Sequence, residues 1–214
     1  MLHGLFTMPV RLPMAFKGGT SLSKVYSAIT RFSEDVDVTI YYKSLDHSID
    51  PFDPKVSRTA RDKYTELLKA KLAEHTKNVI QPYFEKLVTQ LAEKPPKPIT
   101  ISDDGEKLFI PYPSRFGADE SVFLEFEGRN VISPNEEHPL RPYIAAKLPD
   151  LQFPEAIVSV LVPARTFWEK ATLIHVACNR SDQKLDADRQ SRHWHDLAVL
   201  ADHTIGKTSS SASS

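Results

Sequence analysis

Two aspartates, Asp35 and Asp37, stand two residues apart in the segment Asp35-Val36-Asp37-Val38-Thr39-Ile40-Tyr41. Its alternation and β-branched content predict a strand, which puts both carboxylates on one face. Two like charges held together are unfavourable unless a cation lies between them, and aspartate is depleted in strands. Magnesium suits such a pair, because it is bound by one or two carboxylates together with substrate phosphates. Taken alone, Asp-x-Asp describes the solvated face of an edge strand at least as well.

The residues upstream change that balance. Lys17-Gly18-Gly19-Thr20-Ser21 leads into a short amphipathic helix expected over Ser21 to Ile29. Glycine lets a backbone approach a ligand closely because it has no Cβ. A helix start adds unpaired N–H groups and a positive dipole end, both of which favour phosphate. Thr20 or Ser21 would cap the helix or bond a phosphate oxygen. A glycine turn, a helix and then paired carboxylates together point to metal-assisted phosphoryl chemistry, which arranges cations around an in-line displacement.

Further candidates lie downstream. Glu125 and Glu127 share one face of an alternating segment, Ser121 to Glu127. Either could supply a third carboxylate. Glu125, flanked by Leu124 and Phe126, is preferred, with an exposed acidic face as the alternative. Thr166-Phe167-Trp168-Glu169 has the form of a capping box, so Thr166 and Glu169 are expected to start a helix. Lys170 then falls near the first turn, where the dipole gives a cation no benefit: on the residues alone an exposed lysine is the first reading, and an anionic ligand would explain it otherwise. Arg192 and Asp196, four apart on the last helix, form an intrahelical ion pair or serve the site, Arg192 on phosphate and Asp196 orienting Lys170 or an acceptor hydroxyl. His193 and His195 are two apart and point in different directions, which does not suggest zinc. Trp168 and Trp194 could stack on a base, though core burial is the expectation for both.

These residues need elements to hold them. Leu2 to Met8 reads as the end of a helix or an irregular entry, and Tyr42 to Asp53 as a loop. From Lys55 to Leu91 the recurrence of Leu68, Leu72, Val79, Tyr83, Leu87 and Leu91 predicts helix. Pro82 is expected to divide it. Residues 93–98 form a stiff proline-rich connector. Ile99–Ser102 and Lys107–Tyr112 flank the turn Asp103-Asp104-Gly105 as a hairpin. Ala156 to Val162 is a nearly continuous apolar run, expected to be buried on both faces. Two helices follow, from near Thr166 and near Asp186. The domain reading is one unit over 1–208 with a helical insertion at about 55–93, then a disordered serine-rich tail over 209–214.

The bulk numbers agree. The 214 residues are 41% hydrophobic and 26% charged, ordinary for a globular protein. With 27 Lys and Arg against 28 Asp and Glu, the balance argues against a dedicated nucleic-acid binder, whose affinity comes mainly from phosphate neutralisation. A local basic face for RNA remains compatible. The single cysteine, Cys178, excludes an internal disulfide and is expected to be a buried small hydrophobe. No apolar run approaches a membrane span, and Pro9, Arg11 and Pro13 interrupt the apolar N-terminus, so the cytoplasm is expected.

Two stretches resemble the AbiEii/AbiGii-type nucleotidyltransferase toxins of abortive-infection and type IV toxin–antitoxin systems, which are related to the MenT toxins. They are Phe16 to Lys24 followed by Arg31-Phe32-Ser33-Glu34-Asp35-Val36-Asp37, and Leu161 to Lys170 followed by Asp188 to Leu197. The resemblance spans Phe16 to about Leu200. It implies an α+β fold with a polymerase-β-like nucleotidyltransferase core, a small mixed sheet with flanking helices, plus a helical part. It places Gly19 and Thr20 in the phosphate loop, within a nucleotide-binding stretch Lys17, Gly18, Gly19, Thr20 and Ser21 that Arg192 completes. It puts Asp35 and Asp37 on the metal, where Glu125 is the third carboxylate preferred from the strand pattern, gives Lys170 the triphosphate and faces Asp196 to the site. Asp35, Asp37, Lys170 and Asp196 are the expected catalytic set. Gly19-Thr20 replaces the Gly-Ser of many relatives and keeps the hydroxyl. Only Met1 to Ala15 precede the glycine motif, where family members usually carry another helix.

The implied cofactor is Mg2+ or Mn2+, with an NTP as substrate. The implied acceptor is the 3′ end of a tRNA or another RNA, and a cognate antitoxin need not touch the protein. A protein-modifying (AMPylating) transferase, an inactive NTP- or antitoxin-binding relative, and an interaction protein without nucleotide are the other readings. They separate by labelling with NTP and by thermal shift.

Overall fold

The structure is a computed structural model in which residues 1–30, 35–91, 97–113, 120–179 and 187–202 are described, the side chains of 187–190 excepted. Seven strands form one mixed sheet: β1 (Met14–Lys17), β2 (Val36–Ile40), β3 (Thr100–Ile101), β4 (Lys107–Tyr112), β5 (Glu120–Glu127), β6 (Asn135–Leu140) and β7 (Ala156–Leu161). Their order is β3-β4-β5-β2-β1-β7-β6. β1 runs antiparallel to β2, whereas β2 pairs parallel to β5 and β1 parallel to β7. Helices α1 (Leu2–Phe6), α2 (Gly18–Lys24), α3 (Tyr42–Leu45), α4 (Arg58–His75), α5 (Gln81–Leu91), α6 (Pro163–Asn179) and α7 (Ala187–Asp202) complete the fold. The expected α+β class is what the chain adopts.

Strand alternation decides which face is core. Phe16, Val38 and Phe126 lie in one cross-strand row and are all buried. Leu72, Ile80 and Phe84 from the long helical segment join the same apolar cluster. The opposite face carries Lys17, Asp37 and Glu125, and there α6 and α7 approach. Leu22 of α2 and Leu200 of α7 share a smaller apolar cluster, with Phe167 of α6 packed against it.

The long helix divides differently from expectation. Its buried stripe is Tyr64, Leu68, Leu72, Thr76, Ile80 and Phe84, spaced by four throughout. In an α-helix each four-residue step over-rotates by about 40°, so this stripe would drift off the sheet. A π-helical turn over Thr76–Ile80 takes up the extra residue and returns the stripe to the core. Thr76 Oγ1 donates to the Leu72 carbonyl at 3.0 Å, a back-bond that bends helices. Pro82 stands second in α5, where the wide turn accommodates its missing N–H. Val79 and Leu91, expected on the apolar face, are exposed.

Other corrections are local. Tyr42–Leu45 is helical rather than loop. α2 begins at Gly18 and ends at Lys24, earlier than expected. β6 had no apolar signal, because Asn135-Glu136-Glu137-His138-Pro139-Leu140 is an edge strand, where charge and proline are tolerated. β7 is buried except at Ile157, 56% exposed, and Ser159, half-buried. Cys178 is exposed, not buried. The hairpin of β3 and β4 forms as expected, with Gly105 at φ 73° in its turn. Most of the expected connector and the serine-rich tail lie outside the described residues. Among the described residues no helix is long and apolar enough to cross a membrane.

Candidate active site

The strand registers bring four charges into one row. Lys17 of β1 is opposite Asp37 of β2, Asp37 is opposite Glu125 of β5, and Glu125 is opposite Lys107 of β4. Neighbouring strands lie about 4.8 Å apart, so two carboxylates sit side by side with a cation on each flank. Lys107 Nζ is 3.1 Å from Glu125 Oε2. Lys17 Nζ pairs with Glu127, which also accepts from Asn130 Nδ2 at 2.8 Å. The register therefore separates the two glutamates: Glu125 faces Asp37, while Glu127 is held by Lys17, Asn130 and Arg129.

The electrostatics mark Asp37 as the crowded member. Burial pushes its carboxyl up to about 6, the charges of Glu125 and Asp35 add to that, and Lys17 and Lys170 partly offset it. Burial alone would lower the Lys17 ammonium, but the Glu127 carboxylate, with Glu169 and Asp37, raises it. Asp37 is thus a carboxylate with too few positive neighbours.

The glycine turn is built against this residue. Gly18 has φ 79°, in the left-handed region where only glycine is unstrained. A Cβ there would run into the Asp37 carboxylate. Thr20 Oγ1 donates to the Asp35 carbonyl, tying the turn to the acidic strand, and Ser21 Oγ donates to the Gly18 carbonyl at 2.8 Å. Both hydroxyls are buried and lie off the cavity lining. Expected to cap the helix or to bond a phosphate oxygen, both hydroxyls are engaged with backbone carbonyls around the turn.

A cavity of about 250 Å³ opens over the turn, lined by Lys17, Gly18, Gly19, Asp35, Asp37, Glu125, Thr166, Glu169, Lys170, Leu173, Arg192 and His193. It gathers residues from β1, α2, β2, β5, α6 and α7. Lys170 Nζ is 2.9 Å from Asp196 Oδ2, with the lysine side chain 8% and the aspartate 0% exposed. Its contact with His193 Nδ1 is 3.4 Å. Asp196 therefore orients Lys170. Among the expected residues, Lys17, Gly18, Gly19, Asp35, Asp37, Glu125, Lys170 and Arg192 meet at this cavity, and Asp196 stands behind Lys170.

Helix α6 departs from its expected start. It begins at Pro163, a residue favoured at the first helical position, so Thr166-x-x-Glu169 is no capping box and Lys170 lies well inside the helix. Thr166 is 2% exposed and its Oγ1 has no hydrogen-bond partner, yet it lines the cavity. A buried hydroxyl without a partner is costly, and a ligand in the cavity would supply one. Glu169 accepts from Arg165 Nε at 3.0 Å. Thr166 and Glu169 were hidden in the sequence by a motif that imitates a helix cap.

The donor set fits a divalent cation in one specific way. Among the described residues no three His, Cys, Asp or Glu side chains are grouped so that they could hold a metal ion by themselves. Asp35 and Asp37 on one cavity wall, with Glu125 beside Asp37, match the open arrangement of magnesium, whose remaining ligands are substrate oxygens and water.

Residues 2–211 match the model of the family described as nucleotidyl transferase AbiEii toxins of type IV toxin–antitoxin systems. The chain belongs to that family. A similar solved structure is MenT4, a nucleotidyltransferase toxin of Mycobacterium tuberculosis H37Rv, at 18% identity and TM-score 0.41, over 94% of this chain and 62% of that one. The chain thus spans less than two thirds of the length of that relative. No curated protein matches.

Proposed function

We propose that this protein is a metal-dependent nucleotidyltransferase toxin that moves a nucleoside monophosphate from an NTP to an RNA acceptor, the 3′ end of a tRNA being the first candidate. The observation that carries the reading is the Asp37–Glu125 register pair, set beside Asp35 and under a glycine turn that any Cβ would close. Family membership supports the reaction class, and the acceptor follows from the resemblance.

In this reading Asp35 and Asp37, with Glu125, hold Mg2+ or Mn2+, which neutralises phosphate charge and aligns the reacting oxygens. The Gly18-Gly19 backbone lies against the triphosphate. Lys170, fixed by Asp196, and Arg192 bind its outer oxygens, and Thr166 donates to one of them. An acceptor hydroxyl oxygen bonds to the α-phosphorus as its proton passes to solvent, the bond from that phosphorus to the bridging oxygen breaks, and pyrophosphate leaves. The residues position and neutralise, which is how this chemistry is accelerated.

Incubation with each α-labelled NTP, Mg2+ and total RNA tests the proposal. Label in a small RNA band, abolished by EDTA and by Asp37→Ala, is the expected result. Label in protein instead identifies the AMPylating alternative. NTP binding without transfer to either one contradicts the transferase reading.

A further inference from the structure

A second cavity of about 560 Å³ adjoins the first and shares Lys17, Asp37, Glu125, Glu169 and Leu173 with it. Lys17, Asp37 and Glu125 of the charged row thus border both cavities. The first cavity holds the glycine turn, Lys170 and Arg192, which suit phosphate. The second has a different chemistry, with Trp168, Thr172 and Asn130 on its lining.

Trp168 is 49% exposed. A half-exposed indole leaves apolar area in water that burial would recover, and Leu173 of the same cavity lining is exposed beside it. Its position is braced, because the Phe167 ring meets it edge-on at 5.4 Å and 85°. The two arginines of this cavity are engaged: Arg165 with Glu169 at 3.0 Å, and Arg129 with Glu127 at 3.8 Å. The lining carries five carboxylates against three cations. A polyanionic strand gains nothing from such a wall, since nucleic-acid affinity depends on phosphate neutralisation. A flat, uncharged heterocycle does gain, because it offers a face to the indole and edge donors to the oxygen of the Asn130 amide, whose nitrogen is held by Glu127.

We infer that the second cavity binds the nucleobase of the donor NTP, stacked on Trp168, while the triphosphate crosses the acidic row into the first cavity. This rests on the nucleotidyltransferase reading and assigns the two ends of its substrate to two sides of Asp37. Trp168 is then the affinity-determining contact for the nucleoside, and Asn130 the edge contact.

The chain has two tryptophans, so Trp194→Phe leaves Trp168 as the sole indole reporter. Fluorescence of this variant is titrated with each Mg-NTP, inorganic triphosphate with Mg2+, and a short single-stranded RNA, with thermal shift recorded in parallel. NTP is expected to quench Trp168, whereas triphosphate raises the melting temperature without quenching. Trp168→Leu is expected to weaken NTP binding about tenfold, in line with base–aromatic stacking, leave triphosphate binding unchanged, and recover largely in Trp168→Phe. NTP that shifts the melting temperature without quenching overturns the stacking inference alone. Quenching by RNA and not by NTP overturns it too and gives the cavity to the acceptor. No thermal shift with any NTP overturns the nucleotidyltransferase reading, and this inference with it.

Discussion

Asp37 of β2 and Glu125 of β5 are register partners across a parallel strand pair, so their carboxylates stand side by side on one face of the sheet. Nothing else in the row relieves both. Lys17 is engaged by Glu127, and Lys107 reaches Glu125 from the far side. The pair is therefore a stored electrostatic cost, and its pH dependence follows.

The Asp37 carboxyl titrates near 6 in the folded protein instead of 3.8. The native state thus holds this proton more tightly than the unfolded chain does. Its contribution to stability falls as pH rises from the ordinary value towards 6, by no more than about 3 kcal/mol. Asp37→Asn should melt higher than the wild type above pH 6, and the gap should close below pH 4. Differential scanning calorimetry across this range measures it. Mg2+ should narrow the gap at high pH by relieving the same charge.

Gly18→Ala should harm function more than stability. The left-handed φ of 79° costs an L-residue on the order of 1–2 kcal/mol. The new methyl would also displace Asp37. We expect a modest fall in melting temperature together with loss of Mg-NTP binding, read by calorimetry and titration on the same sample.

The Lys170–Asp196 pair makes the opposite prediction. Asp196→Ala removes the direct partner of a buried ammonium and should cost up to about 3–5 kcal/mol in denaturant unfolding. The double variant Lys170→Met/Asp196→Leu should recover most of that stability while still failing to bind nucleotide.

Thr166 separates ligand from structure. Thr166→Val removes a buried hydroxyl that has no partner in the protein, so the apo protein should be unchanged or slightly more stable. Its thermal shift with Mg-NTP should shrink, and Thr166→Ser should restore it.

Much of this was legible in the sequence where local pattern and chemistry coincide. The Asp35–Asp37 spacing, the glycine turn and the alternation of β5 lead directly to residues that line one cavity. The choice of Glu125 over Glu127 as partner of Asp37 was a preference that only the β2–β5 register explains, since pairing between distant strands leaves no local trace. Thr166 was disguised as a cap, and β6 was polar because it is an edge. The exposure of Trp168 and Trp194, expected in the core, reflects how α6 and α7 dock, which helical periodicity does not encode.

The central claim is a divalent cation shared between the acidic row and a triphosphate. Electron paramagnetic resonance of Mn2+, titrated with a non-hydrolysable NTP analogue, measures it directly. With the analogue present the wild type should sequester more Mn2+ than the analogue does alone, and Asp37→Ala should add nothing to the uptake by the analogue. Equal uptake of Mn2+ by both proteins would contradict the account.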